Sequence, residues 1–267
     1  MLVIGGGPAG VAAALEAAGT GAAVTLLEQG AAIGGQLRLA GRAPAHRALW
    51  RRWQATAERR LERAGVEVRL ETRGSGEDAD AAELVVLATG ARPYVPTWAA
   101  AHEAGSAGRA VPRGVEVVDA WTAIANPAAL AGPVLVADWG GGWDGLDAAE
   151  VMAEQGLDVT YACAAPSPAW TLQQYQRNLY LARFDERGIP ILHHTEVLGD
   201  RLRHLFSGRE HRLPEVATIV YAHGRVPEDG LWATLEGRPG MTRAGDVLGP
   251  RTAEEAVLEG ATAALVA

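Results

Sequence analysis

The chain has 267 residues with 48% hydrophobic and 21% charged side chains, the balance of an ordinary globular protein with one large or two modest domains. A formal net charge of −8 argues against broad binding to nucleic acid or an anionic membrane surface. No apolar run approaches the roughly 18 residues of a membrane span, and the single cysteine, Cys163, excludes a disulfide framework, a Cys-x-x-Cys redox pair and a cysteine-ligated iron–sulfur cluster within this chain.

The first predicted element is an apolar strand around Val3-Ile4, with no basic leader before it. Together with the sparse cysteine this predicts a cytoplasmic protein. The strand enters Gly5-Gly6-Gly7-Pro8-Ala9-Gly10, and an alanine-rich helical run follows. Gly5, Gly7 and Gly10 fit G-x-G-x-x-G, whose glycines allow the tight turn, the approach of a pyrophosphate and close packing of helix on strand. A second strand, Ala23 to Leu27, ends in Glu28, 18 residues after Gly10. A carboxylate at about that distance accepts from ribose hydroxyls.

Beyond it, Ile33-Gly34-Gly35-Gln36-Leu37 suits a loop lying against a long ligand. From about Ala43 to Ala64 a helix is predicted, with Trp50, Trp53, Ala57 and Leu61 on one apolar stripe. Its arginines form a solvated face, or alternatively a docking surface for an acidic partner. Strands follow at Val66–Leu70 and Leu84–Leu87, the latter leading into Ala88-Thr89-Gly90-Ala91-Arg92-Pro93. Small residues at a parallel strand's carboxyl end leave room for a ligand over the sheet edge. The stretch from Tyr94 to about Leu130 reads as a crossover out of the first domain.

The plan then repeats. A strand at Pro133–Ala137 enters Asp138-Trp139-Gly140-Gly141-Gly142-Trp143-Asp144-Gly145, a helix runs to about Gln155, and a strand spans Asp158–Ala162. The 23 positions from Gly5 to Glu28 are matched by the 23 from Gly140 to Cys163, so a cysteine stands where the ribose acid should be. No arginine follows for a 2′-phosphate, two carboxylates flank the turn, and Trp143 fills a position usually small. Productive NAD(P) binding is therefore not expected here.

Thr171–Arg187 reads as helix and Ile189–Thr195 as strand. On that strand His193 and His194 face opposite ways and do not share a metal ion. A hairpin is predicted between Leu202 and Leu213, and a strand at Thr218–Ala222 leads into His223-Gly224-Arg225-Val226-Pro227, copying the plan of Leu84 to Pro93. His223 is a structural histidine, or alternatively a functional one. Gly245-Asp246, at the end of a last strand, offers a carboxylate to hydroxyl groups such as those of a ribityl chain, and Asp246 as a turn or cap residue is the alternative. A helix from Glu254 closes the chain. No residue stands out as a general acid or base.

These blocks together resemble the flavoprotein reductases with two dinucleotide-binding domains. The Gly-Gly-Gln-Leu loop, the Asp138 to Trp143 turn, Thr171-Leu172-Gln173-Gln174 and Gly245-Asp246 with Pro250-Arg251-Thr252-Ala253 narrow the likeness to the C-terminal half of the 2,4-dienoyl-CoA reductase and trimethylamine dehydrogenase family. The resemblance implies an α/β fold with two Rossmann-like domains, the second inserted into the first as in glutathione reductase. Residues 1–100 and 215–267 would form a discontinuous FAD-binding domain and residues 101–214 an NAD(P)-like domain with a degenerate site.

The cofactor-binding residues expected on this basis are Gly5, Gly7, Pro8, Ala9, Gly10, Glu28, Gln29, Gly35, Gln36, Leu37, Ala88, Thr89, Gly90, Gly245, Asp246, Thr252 and Ala253. The expected ligand is FAD, with ADP as the alternative. Family members carry a barrel with FMN and an iron–sulfur cluster, absent from this chain. The resemblance therefore implies a separately encoded electron-transfer subunit, or a fragment, whose substrate-oxidising barrel is on a partner chain, with an electron-transfer flavoprotein as a further acceptor. A non-catalytic ADP-binding scaffold and a stand-alone NAD(P)H-dependent flavin reductase are the alternatives.

Overall fold

The structure, a computed structural model, describes residues 1–105 and 111–266. The chain starts with β1 (Leu2–Ile4), α1 (Pro8–Gly19) and β2 (Thr25–Leu27). Pro8 sits in the first turn of α1, where its missing N–H and fixed φ cost nothing. Next come α2 (Gln36–Ala40), α3 (Arg47–Arg63), β3 (Glu67–Arg69), α4 (Gly76–Asp80), β4 (Val85–Leu87) and β5 (Ala91–Pro93). Ser75 and Asp78 close a reciprocal capping box at the start of α4.

The chain continues with α5 (Thr97–Glu103), β6 (Glu116–Asp119), α6 (Ala120–Ala125), β7 (Val134–Asp138), α7 (Trp143–Glu154), β8 (Val159–Cys163) and α8 (Gln174–Glu186). Four strands follow: β9 (Ile191–His193), β10 (Thr195–Val197), β11 (Arg201–His204) and β12 (Glu210–Arg212). The last elements are β13 (Thr218–Ala222), β14 (Arg225–Pro227), α9 (Gly230–Leu235), β15 (Met241–Arg243) and α10 (Ala253–Val266). Among the described residues no helix is long and apolar enough to cross a membrane.

Two compact units result. One comprises Met1–Arg38, Ala48–Arg92 and Arg225–Ala267, the other Leu39–Arg47 and Pro93–Gly224. Each holds a five-stranded sheet, in the orders β15-β4-β1-β2-β3 and β6-β13-β7-β8-β9. Every pairing in both sheets is parallel. In each, the strand before the glycine turn, β1 or β7, lies at the centre. The point where the strand order reverses, beside β4 or β13, is where such sheets open a crevice for ligands.

Side-chain alternation along the first sheet separates two cores. Val3, Leu26 and Val86 pack with Ala13, Ala14, Ala57 and Leu61, whereas Leu2, Ile4, Leu27, Val85 and Leu87 pack with Ala79 and the partly buried Trp232 and Leu235. The alanines of α1 let α10 approach backbone to backbone. A Cβ added at Gly260 would lie 2.0 Å from the Ala9 carbonyl oxygen.

Three expectations are corrected. The Tyr94–Leu130 stretch is not a bare crossover: β6 pairs with β13 at the edge of the second sheet, held by four residue pairings from Glu116↔Thr218 to Asp119↔Tyr221. Residues 106–110 of that stretch lie outside the described residues. The unit boundaries fall at 92/93 and 224/225, not at 100/101 and 214/215, because β13 is a ladder partner of β7, and residues 39–47 join the second unit. Finally, His194 is not in a strand. Its φ of +53 turns the chain from β9 of the parallel sheet into β10, which pairs with β11 in a three-stranded antiparallel sheet with β12.

Candidate functional site

In the first unit, residues expected at the site converge at the carboxyl ends of four parallel strands: Gly5 after β1, Glu28 after β2, Ala88 after β4 and Gly245 after β15. Gly5 (φ +112) passes so close to the Ala88 carbonyl that a Cβ would stand 2.2 Å from it, and a Cβ on Gly10 would stand 1.8 Å from the Gly5 carbonyl. Gly7 differs, since nothing lies within 4 Å of its added Cβ. It is the N-cap of α1 with no side-chain cap, and no acidic residue occupies the helix's first turn. The space beside Gly7 thus opens at the positive end of the α1 helix dipole, which suits an anion.

Glu28 is fixed by backbone donors on both oxygens, Gly6 N at 2.7 Å to Oε2 and Gly30 N at 2.6 Å to Oε1. The carboxylate thus stands beside the glycine turn with lone pairs to spare. The Gly34–Gln36 loop is pinned over that turn: Gly34 N donates to Gly6 O at 2.7 Å, and a Cβ on Gly35 (φ +50) would be 3.2 Å from Gly7 Cα. Gln36 Nε2 donates to Asp246 Oδ2 at 2.8 Å, and a Cβ on Gly90 would lie 4.0 Å from the same nitrogen.

The remaining expected residues are more peripheral. Ala9 and Ala88 are buried packing residues under the turn, and Gln29 is exposed. Leu37 follows Gln36 in α2. Thr89 spends its hydroxyl proton on the Glu228 carbonyl at 2.6 Å. Thr252 immediately precedes α10, its N–H donating to Glu255 Oε2 at 2.8 Å, and Ala253 is exposed beside it. One residue escaped the sequence reasoning. Arg225 Nη1 donates to both Gln36 Oε1 and Asp246 Oδ2 at 2.6 Å. The copied Gly-x-x-Pro pattern was visible there, but nothing local signals a reach of 189 positions to Gln36.

The second glycine turn is occupied by the chain itself. Asp138, 2% exposed, accepts Gly141 N at 2.9 Å on Oδ1 and the Tyr161 hydroxyl on Oδ2. Thr171 covers the turn, its N and Oγ1 donating to Gly141 O at 3.0 and 2.9 Å. Asp144 lies in the first turn of α7. Carboxylates thus take the place that phosphate would need. Burial pushes the Cys163 thiol up to about 12, so it stays protonated and inert at neutral pH. Burial also lowers His223 to about 4, leaving a neutral ring edge-on to Trp98 at 6.0 Å, a packing role.

Burial, the largest cause, pushes the Asp138 carboxyl up to about 7, the neighbouring Asp144 adding to it against the Tyr161 hydrogen bond. This lies above the unfolded value of about 3.9, so the native state holds the proton more tightly. The stability from this group is complete below about pH 4 and is lost as pH rises towards 7. Asp138→Asn keeps the shape without the charge. It is expected to gain stability relative to the parent between pH 5 and pH 8, read as the difference in Tm. An equal difference at both pH values would contradict this.

Comparison with known proteins agrees with the architecture. Residues 1–238 match the family described as Pyridine nucleotide-disulphide oxidoreductase. An NADH oxidase of Thermoanaerobacter brockii is 34% identical over 197 residues, 71% of this chain and 28% of that protein. An N,N-dimethylglycine/sarcosine dehydrogenase of Chromohalobacter salexigens is 30% identical, covering 88% of this chain and 35% of its own length. A solved histamine dehydrogenase from Rhizobium sp. 4-9 superposes with a TM-score of 0.84 at 23% identity, over 98% of this chain and 43% of that one. The chain therefore spans about a third of the length of these curated relatives. The resemblance named from the motifs, and the α/β dinucleotide-binding fold it implied, are borne out.

Proposed function

The chain belongs to the pyridine nucleotide-disulphide oxidoreductase family, one of flavin oxidoreductases, and from that membership we propose that it is an FAD-binding electron-transfer subunit. Its substrate-oxidising barrel, with FMN and an iron–sulfur cluster, is on a partner chain. The observation that supports this best is the contrast between the two glycine turns. The first leaves a free approach at Gly7, with nothing within 4 Å of an added Cβ. The second is filled by Asp138 and covered by Thr171.

FAD bound at the first turn would supply one- and two-electron redox chemistry. The protein's part is placement. The α1 amides and Gly7 hold the pyrophosphate, Glu28 accepts from the adenosine ribose, Gly35 and Gln36 line the ligand, and Asp246 accepts from the ribityl chain. Glu28→Ala is expected to weaken FAD and ADP alike by roughly 1.5–3 kcal/mol, the range for hydrogen bonds to a charged group. Isothermal titration with both ligands checks this, and unchanged affinities would remove Glu28 from the site.

A second possibility, direct oxidation of NAD(P)H, is favoured by the NADH oxidase among the relatives. Anaerobic mixing of the FAD-loaded protein with NADH or NADPH separates the two. Under the electron-transfer proposal the flavin bands persist for minutes and bleach only with dithionite. Rapid bleaching by either nucleotide would make the chain a reductase in its own right.

A further inference from the structure

Three chain segments meet at one side of the first unit's site, and one side chain joins them. Arg225, at the start of β14, is 16% exposed at its side chain and Asp246 11%. Its Nη1 lies 2.6 Å from Gln36 Oε1 and 2.6 Å from Asp246 Oδ2, and its Nη2 lies 2.9 Å from the Arg251 carbonyl. The contact with Oε1 fixes which way the Gln36 amide faces. Because Oε1 accepts from Arg225, Nε2 must be the edge turned to Asp246, at 2.8 Å, and one amide hydrogen remains for a ligand. Asp246 is fixed in the same way, with Oδ2 receiving Arg225 and Gln36 while Oδ1 receives, among the described residues, the Arg251 N–H at 3.1 Å. The arginine also balances the Asp246 charge, which would otherwise stand half-desolvated beside a ligand carrying phosphates.

None of these groups belongs to the glycine turn or to Glu28, which serve the ADP half of a dinucleotide. We propose that Arg225 is the positioning residue that fits this site to the ribityl-flavin half of FAD, acting through Gln36 and Asp246. The role depends on FAD being the first unit's ligand. It assigns selectivity between a full flavin dinucleotide and its adenylate fragment to one guanidinium, outside the nucleotide fingerprint.

The test compares two ligands with the same pyrophosphate diester charge, FAD and ADP-ribose, so that any change in the charge near Asp246 acts on both. Dissociation constants are measured for the parent and for Arg225→Gln. The expected result is a fall in FAD affinity at least about 10-fold larger than the fall for ADP-ribose, the scale of one charge-assisted hydrogen bond. Retained ADP-ribose binding also certifies that the unit is folded.

Equal losses for both ligands, or none, would overturn the role and leave Arg225 a structural tie. If Arg225→Gln does not fold, Arg225→Lys, which keeps the charge but cannot span three acceptors, should give an intermediate selectivity. A parent-like ratio in that variant would likewise overturn it. Failure of the FAD proposal shows earlier and separately, as a parent protein that binds FAD no more tightly than ADP-ribose, and it removes the role as well.

Discussion

Gly7→Val is expected to give a folded protein that no longer takes up FAD. The backbone at Gly7 has φ −72 and ψ −177, extended values that any L residue adopts. No atom lies within 4 Å of the added Cβ, so the branch point of the new side chain stands in open space. The isopropyl group instead enters the space in front of the α1 amides, where a pyrophosphate must come to van der Waals distance of the backbone. A 1.4 kcal/mol loss is a factor of ten in affinity, and forcing the phosphates away from several amides costs several such steps. The check is a titration with FAD alongside a thermal melt. FAD binding at the parent's affinity would move the dinucleotide away from this turn.

Gly10→Ala is expected to have the opposite character, a large loss of stability. Its Cβ would sit 1.8 Å from the Gly5 carbonyl and 3.3 Å from Ala88 Cβ. Overpacking a core commonly costs about 1–3 kcal/mol when side chains can yield, but here the obstacle is the backbone leaving the central strand β1. Either β1 or α1 must shift, and α1 is itself held backbone to backbone against α10 at Gly260. A loss above about 4 kcal/mol is expected, a large share of the roughly 5–15 kcal/mol that holds a domain together. Urea unfolding measures it. A midpoint matching the parent would mean that the turn is far looser than its geometry.

Much of the fold was legible because it is written locally. Two apolar strands entering glycine turns at equal spacing declare two central strands and their helices, and Glu28 and Asp246 follow strands whose register puts them at one sheet edge. The parts that were not legible depend on long-range partners. Glu116-Val117-Val118-Asp119 carries only two apolar residues, and it is a strand because β13 offers it a ladder. Residues 39–47 include the first turn of the helix predicted from about Ala43, whereas α3 begins at Arg47. They join the second unit because Leu39 and Ala45 pack on its core and His46 Nε2 meets the Tyr180 hydroxyl at 2.7 Å.

At the candidate site the fingerprint residues were visible, while the residue that organises Gln36 and Asp246 was not. Arg225 looks like any surface arginine until the chain closes on itself. In the second unit the missing ribose acid and the flanking carboxylates were readable. That Asp138 turns inward to take the Gly141 amide and the Tyr161 hydroxyl was not, because Tyr161 is 23 positions away.

The most direct measurement is the absorption spectrum of the purified protein after incubation with FAD and desalting, with mass analysis of whatever denaturation releases. A stoichiometric flavin spectrum and released FAD are the predicted result. A colourless protein that releases ADP, or nothing, would contradict the electron-transfer function and leave the chain a scaffold.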